Sequence, residues 1–126
     1  MKKEGLAIAI ILCVILGSVL NLRYLKAFIH ELDDQTSKAV SEADAGNWTS
    51  AEALASEAMK HWIKMDKYTH VFIRHGEIDA VTDAFCSLLG AIKSRDTPEI
   101  FTAQLALNSR LNELVEMERV TLGSIL

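Results

Sequence analysis

Residues 5–22, GLAIAIILCVILGSVLNL, run for 18 residues without a charge, and no other property of the chain restricts its fold as tightly. Wound as a helix at about 1.5 Å per residue, the run is roughly 27 Å long, close to the ~30 Å hydrocarbon core of a bilayer. Eleven of the residues from Leu6 to Leu22 are Leu, Ile or Val, each favouring insertion by about 0.3–0.6 kcal/mol at mid-membrane. Asn21 and the small residues subtract only part of that gain. The run therefore predicts a transmembrane helix that contacts lipid through residues 5–22. A removable secretory signal would need a small-x-small cleavage site after its apolar core, whereas Gly17 and Ser18 are adjacent and lie inside the run, so an uncleaved anchor is expected. Lys2 and Lys3 on one side are balanced by Arg23, Lys26 and Lys38 on the other, and charge alone does not orient the span.

This divides the chain into an anchor, residues 1–22, and a domain, residues 23–126, long enough for one modest core. Of 13 Lys and Arg and 17 Asp and Glu in the whole chain, only Lys2, Lys3 and Glu4 precede Leu22, so the domain is acidic with its signs mixed. A nucleic-acid partner is not expected, since phosphate binding needs a basic face. No polybasic cluster flanks the span to recruit anionic lipid. Cys13 lies inside the apolar run and Cys86 in the domain, so no disulfide framework is expected. Leu12 before Cys13 also argues against a lipid-modified cysteine at a processing site.

Past the span, apolar or small residues recur in steps of three and four: Leu22, Leu25, Ile29, Leu32, Thr36, Ala39 and Ala43. The spacing predicts that the membrane helix continues without a break. Ala45-Gly46-Asn47 is its stop signal, with Gly46 able to take the left-handed conformation and Asn47 able to cap the next helix. A second stripe follows: Trp48, Ala51, Ala55, Ala58, Trp62, Met65, Thr69 and Phe72, widened by Leu54. A third comprises Ile78, Val81, Phe85, Leu88 and Ile92 and ends near Lys93-Ser94-Arg95. The turn between these two falls either at Lys64 to Tyr68 or at Gly76. Asp96-Thr97-Pro98-Glu99 opens the last helix, with possible N-caps, a proline suited to the first turn and a carboxylate complementing the helix dipole. Ile100, Leu107, Leu111 and Leu114 carry that helix to about Glu118, leaving residues 120–126 as a tail. With no alternating β pattern, the expected fold is all-α: the anchor continuing into a bundle of about four antiparallel helices.

Gly46-Asn47-Trp48-x-x-Ala51, then Trp62, Tyr68 and His75-x-Glu77-Ile78-Asp79, with Thr121-Leu122 ahead of Ile125-Leu126, carry a resemblance over essentially the whole chain. It resembles a family of small, singly anchored helical proteins of unknown function from endospore-forming Gram-positive bacteria. The resemblance implies a cell-membrane protein with its helical part outside the cytoplasm, and it implies no activity. A looser likeness is to tetratricopeptide hairpins, whose second helix often opens Gly-Asp-Tyr-x-x-Ala; no 34-residue period repeats, so only the hairpin packing carries over.

Each histidine has a carboxylate four residues away: His30 with Asp34, His61 with Glu57, His70 with Asp66 and His75 with Asp79. Such a pair is half of a metal site or a pH-responsive contact, or else a solvated i,i+4 pair worth about 0.2–0.5 kcal/mol. His75-Gly76-Glu77-Ile78-Asp79 is the densest cluster, read either as a general base with its partners or as a helix start favoured by the dipole. Trp48 and Trp62 are expected in the core, and Cys86, beside Phe85, as a small buried hydrophobe. There is no nucleophile elbow and no phosphate-cradling glycine loop. No catalytic residue, metal ligand, cofactor or small-molecule substrate is therefore expected. The expected function is a non-catalytic, membrane-anchored interaction or accessory module for another membrane or envelope protein, or for a second copy of itself. The alternative is an extracytoplasmic metal- or pH-responsive sensor built on the His/carboxylate pairs.

Overall fold

The computed structural model describes residues 2–69 and 75–125 of the chain, with the side chains of 66–69, 75, 121 and 125 excepted. Four helices account for nearly all of it: α1 (Lys2–Asp44), α2 (Trp48–Thr69), α3 (His75–Lys93) and α4 (Thr97–Ile125). Each packs on two others, α1 on α2 and α4, and α3 on α2 and α4, closing a ring of four. The two described connections, residues 45–47 and 94–96, are short turns, which makes α1 and α2, and α3 and α4, antiparallel. Among the described residues there is no strand.

The stripes become the core. Leu25, Ile29, Leu32, Ala39 and Ala43 of α1 are buried together with Ala51, Ala55, Ala58 and Trp62 of α2. Ile78, Val81, Phe85, Leu88 and Ile92 of α3 and Ile100, Leu107, Leu111 and Leu114 of α4 complete the cluster. The three small α2 positions let that helix approach its neighbours closely, so Trp62 becomes the largest fully buried side chain. Its ring stacks on Phe85 with centroids 6.4 Å apart. Its indole N–H donates to Thr82 Oγ1 (3.0 Å), whose own hydroxyl donates to the Ile78 carbonyl (3.0 Å). That chain satisfies a donor which would otherwise be stranded in the core. Thr36, also fully buried, donates to the Asp33 carbonyl at 3.0 Å.

Two helix ends close in the same way with different residues. At the end of α1, Gly46 N–H donates to the Ala43 carbonyl and Asn47 N–H to the Glu42 carbonyl, with Gly46 at φ 84°. After α3, Arg95 N–H reaches the Ile92 carbonyl and Asp96 N–H the Ala91 carbonyl, with Arg95 at φ 56°. Both are Schellman closures, a conformation that glycine adopts without strain and arginine does not. Asp96 then caps α4, its Oδ1 accepting from Glu99 N–H at 3.3 Å. Asn47 precedes α2 in the capping position, its carbonyl accepting from Ala51, while its side-chain amide donates back to Glu42.

Three sequence expectations are corrected here. The last helix does not stop near Glu118 with residues 120–126 as a tail; α4 continues to Ile125. Gly123 alone is a weak breaker, and Ser124 Oγ bonds back to the Val120 carbonyl (3.1 Å) within the helix. Cys86 is exposed rather than buried, because one residue past Phe85 turns about 100° away from the core face. Neither proposed site carries the turn between α2 and α3: Lys64 to Tyr68 lies within α2 and Gly76 within the first turn of α3.

The apolar run forms the first half of α1 in one unbroken helix, and by length and composition it can cross a membrane. None of its most apolar 18-residue window is buried against the rest of the protein.

Candidate functional site

The two histidines whose side chains are described, His30 and His61, make separate contacts. His30 Nε2 lies 3.8 Å from Asp34 Oδ2, both side chains mostly exposed on one turn of α1. The His61 ring is instead hydrogen-bonded through Nδ1 to Gln35 Oε1 across the α1–α2 interface at 3.2 Å. His70 lies outside the described residues, as do the side chains of Asp66 and His75, and with them two of the four pairs and the base of the His75 cluster. Glu77 is half-buried and Asp79 exposed in the first turns of α3. Among the described residues no three His, Cys, Asp or Glu side chains come together to hold a metal ion.

Two polar positions that the sequence did not single out meet between α1 and α4. Asp33 and Asn108 border a cleft of about 330 Å3, and the Oδ1 atom of each is covered without a hydrogen-bond partner in the structure. The two covered acceptors lie beside one cleft, and the cationic Lys26 and Arg119 border the same cleft. The cleft can thus hold water or a small hydrogen-bonding group, with charges of both signs at its rim. Asp33 and Asn108 each follow a fully buried leucine, Leu32 and Leu107. Only the alignment of α1 with α4 brings them to the same height. Further along α4, burial raises the Glu118 carboxyl above its ordinary range, since a partly dehydrated carboxylate loses solvation.

At the opposite end, Trp48 is half-buried against the core and the Arg95 guanidinium lies over its ring, 5.7 Å from the centroid. Trp48 therefore has a structural role, bridging the α1–α2 and α3–α4 turns through a cation–π contact. Phe101 and Leu105, one turn apart on α4, leave large apolar side chains in the open. Cys13 and Cys86 are both free and exposed.

The model of the family described as Domain of unknown function (DUF4363) matches residues 19–125. The chain belongs to that family. The DUF4363 match covers α2, α3 and α4 together with α1 from Val19 onward, which is the four-helix ring with its cleft and core. It leaves most of the apolar run outside. No curated protein and no solved structure matches the chain.

Proposed function

We propose that this DUF4363 protein is a single-span membrane anchor carrying a non-catalytic helical bundle, which presents its surface to another membrane or envelope protein. The observation that carries the proposal is the continuity of α1: a helix whose first half is apolar, with none of its most apolar 18-residue window buried, enters the bundle core as its second half without a break. A rigid connection of that kind fixes the height and facing of the bundle over the bilayer. In this reading residues 1–22 are the anchor, and residues 23–126 stand outside the cytoplasm, as in the singly anchored proteins of endospore-forming Gram-positive bacteria that the sequence resembles. The α1–α2 hairpin packs on its small alanines as tetratricopeptide hairpins do. Phe101 and Leu105, exposed at the end of α4 far from the anchor, are the contact surface.

Native Cys86 makes the topology measurable without a new cysteine. In intact cells carrying the Cys13→Ser chain, a membrane-impermeant maleimide is expected to label Cys86, and the protein to stay with membranes through carbonate extraction. Labelling only after permeabilisation overturns the outward orientation; recovery in the carbonate supernatant overturns the anchor. A photo-crosslinking residue at Leu105 is expected to trap a protein, and adducts to lipid alone overturn the interaction role. The sensor alternative draws on the His30–Asp34 contact and requires the melting temperature to shift with Zn²⁺ or between about pH 5.5 and 7.5, the range in which histidine titrates. An unchanged melt removes it.

A further inference from the structure

α1 and α4 keep a constant antiparallel register. Val40 and Ala43 meet Ile100 in one small cavity, and Ile29 meets Leu111 and Val115 along the cleft. At equal rise per residue, continuing this alignment sets Arg119 level with about residue 22 and Leu122 level with about residue 19. The end of α4 therefore descends beside the outer turns of the apolar run. Within that run the half-buried positions include Ile15, Ser18, Val19 and Leu22, on the side of the helix that continues to Leu25 and Ile29. Elsewhere the run is exposed, Asn21 excepted.

The charges stop at one height on both helices. On α1 the first charged side chain beyond the run is Arg23; on α4 the last is Arg119, and residues 120–126, VTLGSIL, have no charged side chain. Arg119 pairs with Glu116 at 3.3 Å, above that boundary. Tyr24 stands at the same level, 60% exposed, with its hydroxyl on Met65 Sδ; an aromatic with a polar tip is the residue type enriched where lipid meets water. Below the boundary, the hydroxyls of Ser18 and Ser124 both donate to the carbonyl four residues earlier, the internal pairing that lets serine sit in an apolar medium. Val120 meanwhile is 66% exposed.

We propose that the last turns of α4, from Val120 onward, lie in the outer membrane interface beside the span as a second, shallow lipid contact. This rests on the reading of residues 5–22 as a membrane anchor and adds to it. Two points of contact restrain the bundle from rocking about α1 and hold the Asp33–Asn108 cleft at a set height above the lipid.

The test is spin-label accessibility in the full chain, reconstituted in phosphatidylcholine vesicles with Cys13→Ser and Cys86→Ser as background. Labels go singly at Val14 in the run, at Val120, at Ser124 one turn beyond it, and at Leu105, which is 71% exposed higher on α4. The expected result is that oxygen collides with the label more often than a water-soluble nickel chelate does at Val14, Val120 and Ser124, with the order reversed at Leu105. A water-facing signature at Val120 and Ser124 with a lipid signature at Val14 overturns the second contact and leaves the anchor standing. A water-facing Val14 overturns the anchor, and the proposal with it. Labels at Val120 and Ser124 reached by neither collider show a protein surface covering the site, which also overturns the lipid contact.

Discussion

Trp62 is fully buried yet carries a polar N–H, and Thr82 is the residue that makes this tolerable. Thr82→Val keeps the volume and removes the acceptor. It is expected to cost about 1–3 kcal/mol, the penalty of an unsatisfied buried donor, read as a lower denaturation midpoint in detergent. Gly46 and Arg95 occupy equivalent left-handed positions, so substitution there has opposite signs. Gly46→Ala is expected to destabilise by about 1 kcal/mol, because a Cβ in that conformation crowds the following carbonyl. The space around Gly46 is otherwise open, so the cost is backbone strain rather than collision. Arg95→Gly relieves the same strain but gives up the guanidinium over Trp48, so its net effect is smaller. Glu118 adds a pH dependence of definite sign. Its carboxyl holds its proton to higher pH in the folded chain than in the unfolded one, so stability falls as pH rises through that interval and stays lower above it. Glu118→Gln is expected to melt above the parent chain at pH 7, with the difference vanishing below about pH 4, where the carboxyl is protonated in both states.

At the scale of elements, most boundaries were readable because each coincides with a residue that enforces it. Gly46 closes α1, and Asp96 with Pro98 opens α4, each by local backbone chemistry that acts whatever the helix packs against. The end of α4 was not readable in the same way. After Glu118 the stripe loses its clear three-and-four spacing, and the sequence alone suggested a tail. Residues 120–125 remain helical all the same, with Ser124 Oγ bonded back to the Val120 carbonyl within the helix. Asp96→Ala removes the α4 cap and is expected to cost about 0.5–2 kcal/mol, seen in the same denaturation measurement. The stripe of α3 was fully legible, yet Cys86 was misplaced beside it, since adjacency to a buried residue in a helix puts a side chain about 100° off its face.

The described residues form one four-helix ring whose first helix continues as an uninterrupted apolar rod, and the proposed anchoring is tested on the first half of α1. Leu12→Arg places a charge at the middle of the apolar run, at an expected cost of about 2.5–3.5 kcal/mol to insertion. The variant is expected to shift from the membrane pellet toward the soluble fraction, while a charge-neutral Leu12→Ile is expected to stay. The ring itself is built from neighbours in sequence plus the α1–α4 contact that closes it. That closing contact creates the Asp33–Asn108 cleft.

Periodicity, turn residues and an uncharged run settled the helix class, the core faces and the presence of one membrane-length helix, because these depend on interactions within a few residues along the chain. The meeting of Asp33 with Asn108 and the bridging of Trp48 by Arg95 were decided by tertiary structure alone. Each joins residues far apart in sequence, and its existence depends on how helices of unequal length slide into register when their apolar faces are buried together.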